Sequence, residues 1–271
     1  MRTYSFALRF STALALVTAV AIASSPLMAE APKSTVKSPA CAVPAEITRL
    51  DYALPRTARR LAAGEPLTIV AIGSSSTGGA FASSPAASYP SRLAVALRER
   101  FPGHVIQVLN KGANGEDARE MLARFQESVI AENPDLVLWQ VGTNSLLFDR
   151  PLTPAGLLIR EGVSRLKAEG IDVVLLDAQF APKLLAKRDI GTLLDLYGTI
   201  SKQENVCVFH RFAVMRYWHE VTGIPFETFL SPDELHMNDW SYDCVAKLLA
   251  GAIAEAATRS ALTAGVAGPK R

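Results

Sequence analysis

The sequence predicts an α/β protein: a three-layer α/β/α sandwich around a five-stranded parallel sheet. Two observations predict it. Five short, continuously apolar runs lack the polar alternation of a half-exposed strand, which implies a sheet covered on both faces. Longer segments with helical spacing separate them, the pattern of right-handed crossovers onto a parallel sheet. With 271 residues, 49% hydrophobic and 20% charged, the chain can bury a sizeable core.

The elements follow in order. Residues 1–29 read as a signal peptide, with Arg2 and Arg9 before an apolar run from Phe10 to Ile22, then Ser24, Ser25 and Pro26 and the small residue Ala29. An uncleaved anchor is the alternative, which the Ser and Thr content and the Pro-ended flank disfavour. Residues 30–45, rich in Pro, Lys, Ser and Ala, read as a linker. The folded domain is expected over 46–262, with a disordered tail over 263–271. A helical stretch over 45–63 leads into a first strand, Leu67 to Ile72. A helix is expected from Tyr89 to Arg100, a strand from Val105 to Leu109 and a helix from Asp117 to Glu132. The strand Leu136 to Val141 follows the breaker Asn133-Pro134. The helix Pro154 to Glu169 stops at Gly170, and the strand Ile171 to Leu176 comes next. A helix over 189–203, a strand from Val206 to Phe209 and a helix from Trp240 to Thr258 complete the domain.

Charge excludes one class of partner. Loss of residues 1–29 removes two arginines and no acid, leaving 26 basic residues against 26 acidic ones. No basic cluster could follow a phosphate backbone, so nucleic acid is not an expected partner. No segment beyond the leader is long and apolar enough to span a membrane. Cys41, Cys207 and Cys244 fit no zinc spacing, and His104, His210 and His219 have no partners at metal-ligand spacing; neither metal nor cofactor is expected. Cys207 lies in an apolar strand, which leaves Cys41–Cys244 as the expected disulfide of an exported protein.

In an open parallel sheet a ligand binds beyond the carboxyl ends of the strands. Four segments there carry reactive groups. The first strand runs into Gly73-Ser74-Ser75-Ser76-Thr77-Gly78-Gly79, the second into Asn110-Lys111-Gly112-Ala113-Asn114-Gly115, and the third into Gly142-Thr143-Asn144. Ser231-Pro232-Asp233-Glu234-Leu235-His236 precedes the last helix. Each alone is an ordinary turn. No lysine follows the first glycines, so this is not a phosphate loop. Thr77 also breaks the G-x-S-x-G elbow. Together the four segments supply a hydroxyl, an imidazole, a carboxylate and several hydrogen-bond donors.

In these four blocks and their order, over residues 67–258, the sequence resembles the SGNH (GDSL-like) hydrolases. The resemblance implies a flavodoxin-like fold and a serine esterase. It implies Ser75 as nucleophile, Asp233 and His236 as its partners, and Ser75, Gly115 and Asn144 as oxyanion donors. Ser74 stands where most of those relatives carry Asp. That leaves three adjacent serines, among which the flanking Gly73 and Thr77 select Ser75. The resemblance further implies an exported, periplasmic or secreted enzyme that uses an acyl-serine intermediate, with an O-acetyl carbohydrate as first-choice substrate. A lysophospholipid or thioester substrate, acyl transfer, or a silent binding module are the alternatives. Trp139 and Gln140 read as core and sheet-edge residues, Gln179 and Phe180 as pocket lining or packing, and Lys183, Lys187 and Arg188 as a solvated face.

Overall fold

The five strands are β1 (Leu67–Gly73), β2 (Ile106–Gly112), β3 (Leu136–Gln140), β4 (Asp172–Leu176) and β5 (Cys207–Phe209). They form one parallel sheet in the order β2-β1-β3-β4-β5. The computed structural model describes residues 40–266, with side chains to 259. Every residue of β3, β4 and β5 is buried, which is why these strands carry no polar alternation. Neighbours along β1 serve opposite layers. Ile69 and Ala71 join the core under helices Pro55–Ala63, Tyr89–Arg100 and Asp239–Val266. Val70 and Ile72 join the core under helices Ala118–Ala123, Leu152–Ala168 and Ile190–Glu204. The predicted three-layer sandwich with five parallel strands is the fold observed.

Because β2 and β3 flank β1 on opposite sides, the order of the chain reverses at β1. The crevice of such a sheet opens at that point, beyond the carboxyl ends of β1 and β3.

Several boundaries differ from expectation. The stretch over 45–63 is two helices, Ala45–Thr48 and Pro55–Ala63, because Pro55 occupies the first turn of the second and holds Leu54 outside helical geometry. β2 runs on through Asn110, Lys111 and Gly112, residues expected in the following turn. Its last residue needs glycine: a Cβ on Gly112 would sit 2.1 Å from the Gly78 nitrogen. The helix over 117–132 is three pieces, Ala118–Ala123, Phe125–Ser128 and a 3-10 turn Ile130–Glu132. After the break, Phe125 is fully buried and its ring packs edge-on to Trp139 at 4.8 Å. Helices Arg211–Arg216 and Phe226–Phe229, with a π-turn Tyr217–Val221, fill a region to which sequence patterning assigned nothing.

The last helix continues to Val266, past the expected boundary at 262, so residues 263–266 are helical rather than tail. The expected signal peptide over 1–29, residues 30–39 of the linker and residues 267–271 of the tail lie outside the described residues. Cys41 and Cys244 form a disulfide with their Cα atoms 5.3 Å apart, tying the segment before Ala45 to the last helix. Cys207 is a buried thiol in β5, and burial pushes its pKa up to about 11. Among the described residues no helix is long and apolar enough to cross a membrane.

Candidate active site

β1 ends at Gly73 and the chain turns at once into the short helix Ser75–Gly78. Of the three adjacent serines, Ser74 and Ser76 are each only 2% exposed, whereas Ser75 is half-buried. Ser74 faces the core. Its backbone N–H and its hydroxyl both donate to Gln140 Oε1, at 2.9 and 3.0 Å, and Thr77 Oγ1 donates to the same oxygen at 3.3 Å. Gln140 is therefore no sheet-edge bystander: from the end of β3 it fixes the turn that carries Ser75.

Ser75 Oγ lies 2.8 Å from His236 Nε2. His236 Nδ1 lies 2.6 Å from Asp233 Oδ2, while Asp233 Oδ1 accepts the backbone N–H groups of Leu235 (3.1 Å) and His236 (2.9 Å). This turn closes on itself, since Ser231 N–H donates to the His236 carbonyl at 2.8 Å and Leu230 bridges Met237. Partial burial opposes ionisation of Asp233, but the hydrogen bonds from the His236 ring and the two backbone N–H groups outweigh it and hold the carboxyl below its ordinary pKa. An ionised Asp233 accepts at Nδ1, which leaves the Nε2 lone pair facing the Ser75 hydroxyl.

The loop after β2 hooks onto the end of β1, with Ala113 N–H donating to the Gly73 carbonyl at 2.9 Å. Gly115 in that loop has φ +81°, a conformation that L side chains rarely adopt. Space is not its constraint, since a Cβ there would meet nothing within 4 Å. Asn144, 6% exposed in the helix Thr143–Leu147 after β3, donates from Nδ2 to the Glu116 carbonyl at 2.8 Å. That amide carries two N–H donors, of which Glu116 takes one. The four segments singled out in the sequence are thus linked at the carboxyl end of the sheet.

Other side chains take plainer roles. Phe180 packs among Phe212, Phe226 and His219, and His219 Nδ1 lies 3.0 Å from the Ile224 carbonyl. His104 Nε2 lies 2.9 Å from the Leu61 carbonyl, and Lys187 pairs with Asp149 at 2.7 Å. Gln179, read from the sequence as pocket lining or packing, is buried, and two contributors were not legible there: Phe81, stacked on His236 at 5.4 Å and 28°, and buried Arg211. Arg211 follows β5 by two residues, so the rule about strand ends could have flagged it.

A serine, a histidine and an aspartate converging beyond the ends of a parallel sheet recur on more than one fold; with the four blocks in their order they belong to a hydrolase of the SGNH-like superfamily. Within it, the model of the non-GDSL lipase-like family matches residues 40–259, and the chain belongs to that family. Ser74 in place of the Asp of the Gly-Asp-Ser pattern agrees with that description. The chain is 29% identical to an arylesterase from Vibrio mimicus over 119 residues, 44% of this chain and 58% of that protein. It is 40% identical over 50 residues to an acetylxylan esterase from Geobacillus stearothermophilus, 18% of this chain and 23% of that protein. The matches thus span less than two thirds of either relative. A two-domain esterase active on acetylated mannans shares the fold, with a TM-score of 0.68 at 22% identity over 80% of this chain and 57% of that one.

Proposed function

We propose that this chain is an exported serine ester hydrolase that works through an acyl-serine intermediate and removes short acyl groups, acetyl first, from a carbohydrate. The observation that carries the reading is the 2.8 Å approach of Ser75 Oγ to His236 Nε2. A serine hydroxyl is a weak nucleophile until a base takes its proton. In this reading His236 takes that proton as Ser75 Oγ attacks the ester carbonyl, and Asp233 stabilises the imidazolium. The backbone N–H groups of Ser75 and Gly115 and the side chain of Asn144 receive the negative charge that develops on the carbonyl oxygen. Collapse expels the alcohol, which leaves with the proton from His236. Water then attacks the acyl-serine by the same steps and regenerates the enzyme.

Export is supported by the pattern of residues 1–29 and by the Cys41–Cys244 disulfide, a bond suited to an oxidising compartment. The carbohydrate substrate is supported by the acetylxylan and acetylated-mannan activities that the related proteins' names state. Mass spectrometry after fluorophosphonate treatment tests the mechanism: the adduct is expected on Ser75. An unlabelled protein, or a label on Ser74 or Ser76, refutes it. Faster hydrolysis of p-nitrophenyl octanoate than of the acetate would favour a lipid or thioester substrate instead.

A further inference from the structure

Five non-glycine residues among those described have positive φ. Asn133 and Asn205 cap helix ends and Asp149 is an aspartate, residue types that tolerate this region. Phe81 (φ 62°) and Glu234 (φ 57°) are not of that kind. Both line one groove of about 540 Å³, together with Phe226, Glu227 and Pro232. The groove adjoins the triad, since Pro232 and Glu234 flank Asp233 in the chain and Phe81 stacks on the His236 ring.

Phe81 is unfavourable twice over: its backbone is strained, and as a large apolar residue it is 57% exposed. The loop is nonetheless held firmly. Tyr242 donates to the Ala80 carbonyl at 2.8 Å, and Ser83 N–H donates to Asp239 Oδ1 at 2.8 Å. Strain retained in an exposed aromatic beside a reactive imidazole marks a ring face kept for a ligand.

The lining decides what kind of ligand. A fatty acyl chain laid here would strip water from two carboxylates and give them no partner, a costly arrangement. A sugar ring suits both halves of the lining: its C–H face packs on the phenyl ring, and its hydroxyls donate to ionised carboxylates, which only accept. Among the described residues no lysine or arginine lines the groove, so an acidic sugar meets like charge.

We propose that this groove is a subsite for an uncharged sugar ring next to the acetylated position, with Phe81 as platform and Glu227 and Glu234 as hydroxyl acceptors. The inference rests on the ester hydrolase reading above. The test compares kcat/KM for an acetylated manno- or xylo-oligosaccharide with that for p-nitrophenyl acetate. In Phe81→Gly and Glu227→Gln this ratio is expected to fall about tenfold or more, the scale of one lost pocket contact. Because glycine relaxes the backbone at position 81, the Tm of Phe81→Gly is expected to hold or rise, whereas a purely structural phenylalanine would lower it. Glu227 is exposed, so its variant tests the subsite without disturbing the core. An unchanged ratio in both variants overturns the subsite, as does a wild type that prefers acetylated uronate oligomers. A wild type that cleaves neither ester defeats the esterase reading itself.

Discussion

Gln179 joins Arg211 to the loop that carries His236. Its Oε1 accepts from Arg211 Nη2 at 3.0 Å, and its Nε2 donates to the Leu235 carbonyl at 3.1 Å. Arg211 is itself fully buried and grips the Asp177 carbonyl through Nε (3.1 Å) and Nη2 (2.7 Å). The position of the imidazole is therefore set from β4 and β5, not by its own loop alone.

This relay predicts a split between stability and turnover. Gln179→Glu keeps an acceptor for Arg211 but loses the donor to Leu235. Its kcat on p-nitrophenyl acetate is expected to fall about ten- to a hundredfold, as when a reacting group is displaced by an ångström or less. Gln179→Leu loses both bonds and should also lower the Tm, because Arg211, whose buried Nη1 already lacks a partner, loses one of the two acceptors of Nη2 as well. Equal kcat in wild type and Gln179→Glu would show that the loop holds itself.

On the proposed mechanism, Asn144→Ala removes an oxyanion donor and, with it, the bond to the Glu116 carbonyl. Steady-state kinetics should show kcat down by about 10²–10³ with a smaller change in KM. A loss confined to KM would place Asn144 in ground-state binding instead.

His210 provides a pH test away from the chemistry. Its Nδ1 lies 3.4 Å from Asp177 Oδ2, and that hydrogen bond raises the imidazole above its ordinary 6.5, against the opposing effect of burial. A raised pKa in the folded state gives stability that is complete below the unfolded value and is lost as pH rises through the folded one. The Tm deficit of His210→Gln should therefore be larger at about pH 5.5 than at about pH 9. With the ring 42% exposed, solvent screens the interaction and the effect is expected to be modest. A deficit independent of pH would mean that only packing is lost.

The disulfide spans 203 residues of sequence. Cys41→Ser should cost about 2–5 kcal/mol, or a Tm lower by about 5–15 °C, and reductant should give the wild type the same deficit. Matching melting curves of wild type and Cys41→Ser would show that the bridge does not constrain the unfolded chain.

The sequence by itself determined the layered fold and the four reactive segments. Continuous apolar runs are a local signal of a doubly covered sheet, and an uncommon set of residue types recurred where such a sheet opens. Only the resemblance, through the flanking Gly73 and Thr77, selected Ser75; the chemistry of Ser74, Ser75 and Ser76 is identical and does not separate them. Folding does so by tying Ser74 inward to Gln140 and leaving Ser75 within reach of His236. Nor did the sequence disclose the contacts made by Gln140, read as sheet edge, and by Gln179, read as pocket lining or packing, or single out Arg211 or Phe81. An amide, an arginine or an exposed phenylalanine has no periodic signature, and Gln140 lies 66 residues from Ser74 while Gln179 lies 56 from Leu235. Tertiary structure alone decided these roles, because each rests on a hydrogen bond or ring contact between distant segments, and such contacts exist only once the sheet has brought those segments together.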